Sequence, residues 1–239
     1  MATTLVTTIV IVFLAALVQT LSGFGFALLV MPLITIIVGL RTAAPLVAVT
    51  GLTLYGVNLI RYRQAIHVRR VLRLGAASII GVPVGVWALA NVDESIIRPL
   101  LGIVLLTYAA YRLIHPSGAR VCSRHWAYPA GFIAGCLGGA YNTSGPPVIV
   151  YGSLRRWPKE EFRAVLQAFF FVSALFAVAS HAVARHLTTK VWTFYGCAVP
   201  ALLLGVFIGS RMDSRLKRDR FRTIVTGMIL VLGLSLVLS

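Results

Sequence analysis

The sequence predicts an all-α polytopic membrane protein built as two inverted repeats, each a broken helical hairpin plus three transmembrane helices. Three observations carry that prediction. The 239 residues are 59% hydrophobic and 12% charged, and apolar runs long enough to span a bilayer recur along the chain. Two of those runs are interrupted by polar residues and helix breakers, at Ser22-Gly23-Phe24-Gly25 and at Asn142-Thr143-Ser144-Gly145-Pro146-Pro147. The basic residues gather on one side of the membrane only if both interrupted runs turn back at their glycines.

The first repeat, residues 1–114, opens with the apolar run Leu5–Leu21, the break, and then Phe26–Gly39. No basic residue precedes the first run, so it reads as a retained helix rather than a signal peptide. Pro45–Ile60 is a span, followed by a basic loop with Arg61, Arg63, Arg69, Arg70 and Arg73. Leu74–Ala90 is the next span, and a short loop with Asp93 and Glu94 leads to Pro99–Leu113. Residues 115–127 form a polar, cytoplasmic linker.

The second repeat, residues 128–239, follows the same plan. Tyr128–Tyr141 runs up to the second break, and Pro147–Leu154 runs away from it into Arg155-Arg156-Trp157-Pro158-Lys159-Glu160-Glu161. Phe162–Ala184, Trp192–Gly209 and Ile224–Leu238 are spans. Gly85-Val86-Trp87 aligns with Gly205-Val206-Phe207, and Asp93 with Asp213, at a common offset of 120 positions. A shared offset points to a duplication.

Net charge is +16. The charges sit in short loops between apolar segments, which favours membrane orientation over nucleic-acid binding. If each interrupted run crossed once, the 22 Lys and Arg residues would divide almost evenly between the two sides. If each turns back, Arg61–Arg73, Arg112–Arg124, Arg155–Arg163 and Arg211–Arg222 share one side, leaving only Arg41, Arg98, Arg185 and Lys190 on the other. That positive-inside pattern selects six full crossings plus two broken hairpins, with basic loops cytoplasmic and both termini periplasmic. Tyr128–Tyr141 would be about 21 Å long at 1.5 Å per residue, short of the ~30 Å hydrocarbon core. The hairpin tips would therefore end inside the membrane, entering from opposite faces so that they can meet near the midplane.

The tips are the candidate site. Ser144 is a natural N-cap, Pro146 suits a first helical turn, and Gly145 lets the chain bend. A helix starting there offers backbone N–H groups and the positive end of a dipole, which suits a small anion. Substrate-binding candidates are Ser22, Gly23, Gly25, Asn142, Thr143, Ser144 and Gly145; Gln19, Asn58 and Gln167 are candidate cavity-lining residues. The competing reading is that Asn142 and Ser144 only cap a kink. Phe24 and Phe26 read as core packing, and Asn58 and Ser180 serve equally well as interhelical hydrogen-bonding residues. His181, near a helix end, reads as an interfacial residue rather than a proton carrier. Gly131/Gly135/Gly139, Gly81/Gly85 and Gly205/Gly209 form small-residue stripes that let helices pack closely in lipid.

The six acidic residues all fall in loops, so a membrane-embedded carboxylate relay has no candidate. Cys122, Cys136 and Cys197 form no paired motif, so no metal, disulfide or cofactor is expected. No phosphate loop, zinc motif or nucleophile elbow occurs, which argues against an enzyme.

Ser22-Gly23-Phe24-Gly25-Phe26, Gly139-Ala140-Tyr141-Asn142-Thr143-Ser144-Gly145-Pro146-Pro147 and the Gly205-x3-Gly209-Ser210-Arg211 end of a later span resemble the sulfite exporter TauE/SafE family of bacterial membrane proteins. The resemblance covers essentially the whole chain. It implies an inner-membrane permease for sulfite, a sulfonate, thiosulfate or a related sulfur anion. The expected partners are thus a small anionic substrate and the lipid bilayer. A channel-like anion pore and a non-transporting membrane scaffold remain the alternative readings.

Overall fold

The computed structural model describes residues 2–91, 103, 106, 110, 123–141, 144–213, 223, 226, 227, 230, 231 and 234. The expected spans over 99–113 and 224–238 fall almost wholly outside these residues, as do most of the linker, Asp93, Glu94, and the site candidates Asn142 and Thr143. Every regular element among the described residues is helical.

The apolar runs become α1 (Ala2–Ser22), α2 (Phe26–Val38), α3 (Leu40–Tyr62) and α4 (Val68–Asn91), then α5 (Ala127–Tyr141), α6 (Gly145–Leu154), α7 (Lys159–Val183) and α8 (Thr189–Asp213). Among the described residues, four helices are long and apolar enough to cross a membrane, over Thr3–Ser22, Arg41–Ala65, Lys159–Val183 and Thr189–Met212.

Breaks fall where the backbone chemistry demands them. α1 stops at Ser22 because Gly23 and Gly25 take φ of +89° and +107°, outside the right-handed helical region. A single residue, Gly39 at φ +81°, separates α2 from α3. α6 and α7 end without a glycine: Arg156 and Arg185 adopt φ of +51° and +56° in its place. At the first, Trp157 N donates to Gly152 O (3.3 Å) and Arg156 N to Ser153 O (3.0 Å). At the second, His186 N donates to His181 O (2.9 Å) and Arg185 N to Ala182 O (3.1 Å). These paired bonds close the carbonyl ends as a Schellman motif does, and an arginine there complements the negative helix pole.

The chain divides into two compact units, one comprising Met1–Ile66 and Arg163–Leu216, the other His67–Phe162 and Lys217–Ser239. In the first unit α1 packs along α8, α2 lies against α1 and α3, and α3 also meets α8. A methyl group on Gly205 would come 2.6 Å from Phe13 O, and one on Gly209 would lie 3.0 Å from Thr20 Cβ. In the second unit α4 and α5 form the most extensive pairing. There a methyl group on Gly81 would collide with Phe132 O, one on Gly131 with Leu74 O, and one on Gly135 with Ser78 O. The small-residue stripes thus seat one backbone directly on another, the arrangement that gives van der Waals packing its reach in lipid.

Many charged residues assigned to loops from the sequence lie in helix instead: Arg61 in the last turn of α3, Arg69, Arg70 and Arg73 near the start of α4, Lys159, Glu160, Glu161 and Arg163 near the start of α7, and Arg211 and Asp213 at the end of α8. Pro158 ends the preceding turn, and Lys159 begins α7, three residues earlier than the apolar pattern indicates. Glu160 and Glu161 occupy its first turn, where the positive helix pole favours carboxylates. Glu161 is buried, ion-paired with Arg70, and 3.4 Å from His67 Nε2. Arg70 also lies over the Trp157 ring at 5.2 Å. Its guanidinium pKa is lowered chiefly by burial and next by the like charge of Arg155. Arg163, counted among the cytoplasmic loop charges, lies further into α7 and is fully buried.

Candidate functional site

The first break is enclosed by fully buried polar side chains on three helices: Gln19, Thr20 and Ser22 of α1, Asn58 of α3, and Arg163 and Gln167 of α7. The sequence nominated Gln19, Asn58 and Gln167 as cavity-lining, and the structure brings all three to this break. Gln19 spans it. Its Nε2 donates to Gly23 O (3.1 Å), and its Oε1 accepts from Phe26 N (3.0 Å). A primary amide thereby supplies the donor and acceptor that an uninterrupted helix would have provided. Gln167 Nε2 also donates to Gly23 O (3.0 Å), while its Oε1 accepts from Gln19 Nε2 (3.4 Å).

Ser22 works locally. Its Oγ lies within hydrogen-bonding distance of Val18 O (2.7 Å) and Phe24 O (2.6 Å), and accepts from Phe24 N (3.2 Å). Gly23 is fitted against the stem of Arg163, since a methyl group there would lie 2.9 Å from Arg163 Cγ. The Arg163 guanidinium donates to Leu21 O at the end of α1 and to Tyr62 OH (3.3 Å), and lies over the Tyr62 ring at 5.9 Å. Asn58 Nδ2 reaches Thr20 Oγ1 at 3.5 Å, while its Oδ1 makes no hydrogen bond among the described residues.

Phe24 and Phe26 are fully buried, and Phe26 meets Tyr55 edge-on with centroids 6.3 Å apart. They pack, as expected. Ser180 lies elsewhere, exposed and bonded to Phe176 O on its own helix (2.9 Å). His181 is half-buried, with Nδ1 3.2 Å from His186 Nδ1.

The second break is built differently. α5 stops at Tyr141 and α6 begins at Gly145, with proline in its first turn. Ser144 occupies the N-cap position and is buried, but its side chain makes no capping hydrogen bond. Its φ of −78° and ψ of −4° are helix-like rather than extended, which turns Oγ away from the amides it would cap. Its Cβ lies 3.3 Å from where a methyl group on Gly138 would sit, so the tip folds back on α5.

Arg163 is the residue the sequence reading missed. Its place four residues before Gln167 was the available signal, because that spacing puts both on one helix face once the helix start is set correctly.

Apolar helices interrupted by a buried, polar-lined break are a build that membrane transporters use. The profile of the family described as sulfite exporter TauE/SafE matches residues 8–236, and the chain belongs to that family of membrane transporters, which are not enzymes. Over 227 residues it is 26% identical to a Cupriavidus necator protein named probable sulfite/organosulfonate exporter TauE, covering 92% of this chain and 88% of that one. Over 163 residues it is 26% identical to a Comamonas testosteroni protein named probable inner membrane transporter protein TsaS, covering 66% of each. No solved structure matches the chain.

Proposed function

We propose that the protein is a secondary transporter that exports a small sulfur-containing anion, such as sulfite or an organosulfonate, across the bacterial inner membrane. The observation that carries this reading is the family match over residues 8–236, joined to buried polar breaks that interrupt otherwise apolar spans. The names of the two relatives supply the chemical class of solute and the membrane.

In this reading the chain is two inverted repeats, 1–114 and 128–239, joined by a cytoplasmic linker at 115–127. Each begins with a broken hairpin, the basic loops are cytoplasmic and both termini are periplasmic. The anion is held at the helix starts after the breaks, by backbone N–H groups and by Ser22, Gly23, Gly25, Asn142, Thr143, Ser144 and Gly145, with Gln19, Asn58 and Gln167 beside them. Helix N-termini suit this work because their unpaired N–H groups and dipole favour negative charge without a full counter-ion. Alternating exposure of the site follows from rocking one repeat against the other.

The test is flux of labelled sulfite in proteoliposomes with a sulfite gradient imposed. Saturable flux, competed by taurine or thiosulfate and raised in KM by Asn142→Ala, is the expected result. Flux that rises linearly with concentration identifies a channel-like pore. Its absence for every sulfur anion tried overturns transport and favours a scaffold.

A further inference from the structure

We propose that Arg163 and Gln167 are the residues that make the first break selective for anions, acting from α7 on the carbonyl end of α1. The inference rests on the reading of the protein as an anion transporter and assigns a selectivity device within it.

A broken helix presents two opposite poles to the same place. The start of α2 carries a positive pole that attracts an anion, although its Phe26 N–H is held by Gln19 Oε1, but the end of α1 offers carbonyl oxygens and a negative pole that repel one. At this break the exposed acceptors are covered one by one. Leu21 O takes the Arg163 guanidinium, Gly23 O takes the amide groups of Gln19 and Gln167, and Phe24 O lies against the Ser22 hydroxyl.

Gln19 and Ser22 belong to α1 itself and would be present in any conformation of that helix. Arg163 and Gln167 are contributed by α7, from one face of it. Docking of α7 therefore converts the carbonyl end from an anion-repelling pole into a neutralised one with a cation set upon it. Tyr62, whose hydroxyl accepts from Arg163 and whose ring lies beneath it, fixes the guanidinium from α3. Gly23 permits the close approach, since any side chain there would meet the Arg163 stem. Arg163 is fully buried although it stands only five residues into α7.

The experiment compares wild type, Arg163→Lys, Arg163→Gln and Gln167→Leu in proteoliposomes, with labelled sulfite as the probe. Arg163→Gln is expected to raise the sulfite KM about tenfold while changing Vmax less than about threefold. Arg163→Lys keeps the charge and is expected to return KM to within about threefold of wild type. Gln167→Leu, which leaves Gly23 O with one donor fewer, is expected to raise KM by about threefold. Thermal unfolding in detergent establishes that each variant is folded.

Should Arg163→Gln fail to fold, Gln167→Glu carries the test. A carboxylate against Gly23 O is expected to abolish sulfite-dependent thermal stabilisation. A folded Arg163→Gln, or Gln167→Glu, with wild-type sulfite KM overturns the inference and leaves the transport reading intact. An Arg163→Lys protein as impaired as Arg163→Gln overturns the charge-based account. A wild-type protein that neither moves nor is stabilised by sulfite, thiosulfate or taurine overturns the transport reading itself, and this inference falls with it.

Discussion

The two breaks look alike in sequence, and the structure holds them in opposite ways. At Ser22–Gly25 two glycines at positive φ turn the chain, and side chains of α1 and α7 take up the backbone groups the turn leaves over. At Ser144–Gly145 the prolines stiffen the next helix, and the serine at the cap position bonds to none of its amides. The first break is fastened by α1's own side chains and by α7, whereas at the second the described cap residue, Ser144, fastens none of the amides it precedes. A run of Ser, Gly and Pro in an apolar stretch therefore reports that a helix stops, but not what satisfies its ends.

Gly23→Ala breaks this contrast most severely. It forces a Cβ into a left-handed backbone and against the Arg163 stem, so a loss of about 2–4 kcal/mol in unfolding free energy is expected. Denaturant unfolding in detergent measures it, and a change below ~1 kcal/mol would show that the tip is far looser than drawn. The serines sharpen the comparison. Ser22→Ala removes a hydroxyl that touches two carbonyls and one amide, and should cost about 1–2 kcal/mol. Ser144→Ala removes no capping bond and should cost less than about 0.5 kcal/mol, well under the usual loss at an N-cap. Equal losses at the two serines would erase the distinction.

The same contrast separates what the sequence discloses from what it conceals. The helix ends at Ser22 and Tyr141 are legible because glycine and proline punctuate apolar runs in a fixed manner. The seams at Gly131/Gly135 and Gly205/Gly209 are legible because small residues recur at helical spacing. The bond between Gln19 and Gln167 is not, since the two are remote along the chain and nothing local ties one glutamine to another. Arg163 is hidden for a different reason. Pro-Lys-Glu-Glu reads as a charged loop, yet after a proline those same carboxylates favour a helical first turn. A shift of three residues in the helix start moves Arg163 from the mouth of the expected span, where it was counted with the cytoplasmic charges, to a buried place in the second turn.

The glycine seat for α1 also constrains the order in which the molecule can be built. α1 leaves the ribosome well before α8, whose Gly205 and Gly209 receive it. Synthesis runs from the N-terminus at a finite rate, so the face of α1 that α8 covers stays without that partner until the chain from α2 through α8 has followed. A chain ending before α8 would leave that face without the helix built to receive it.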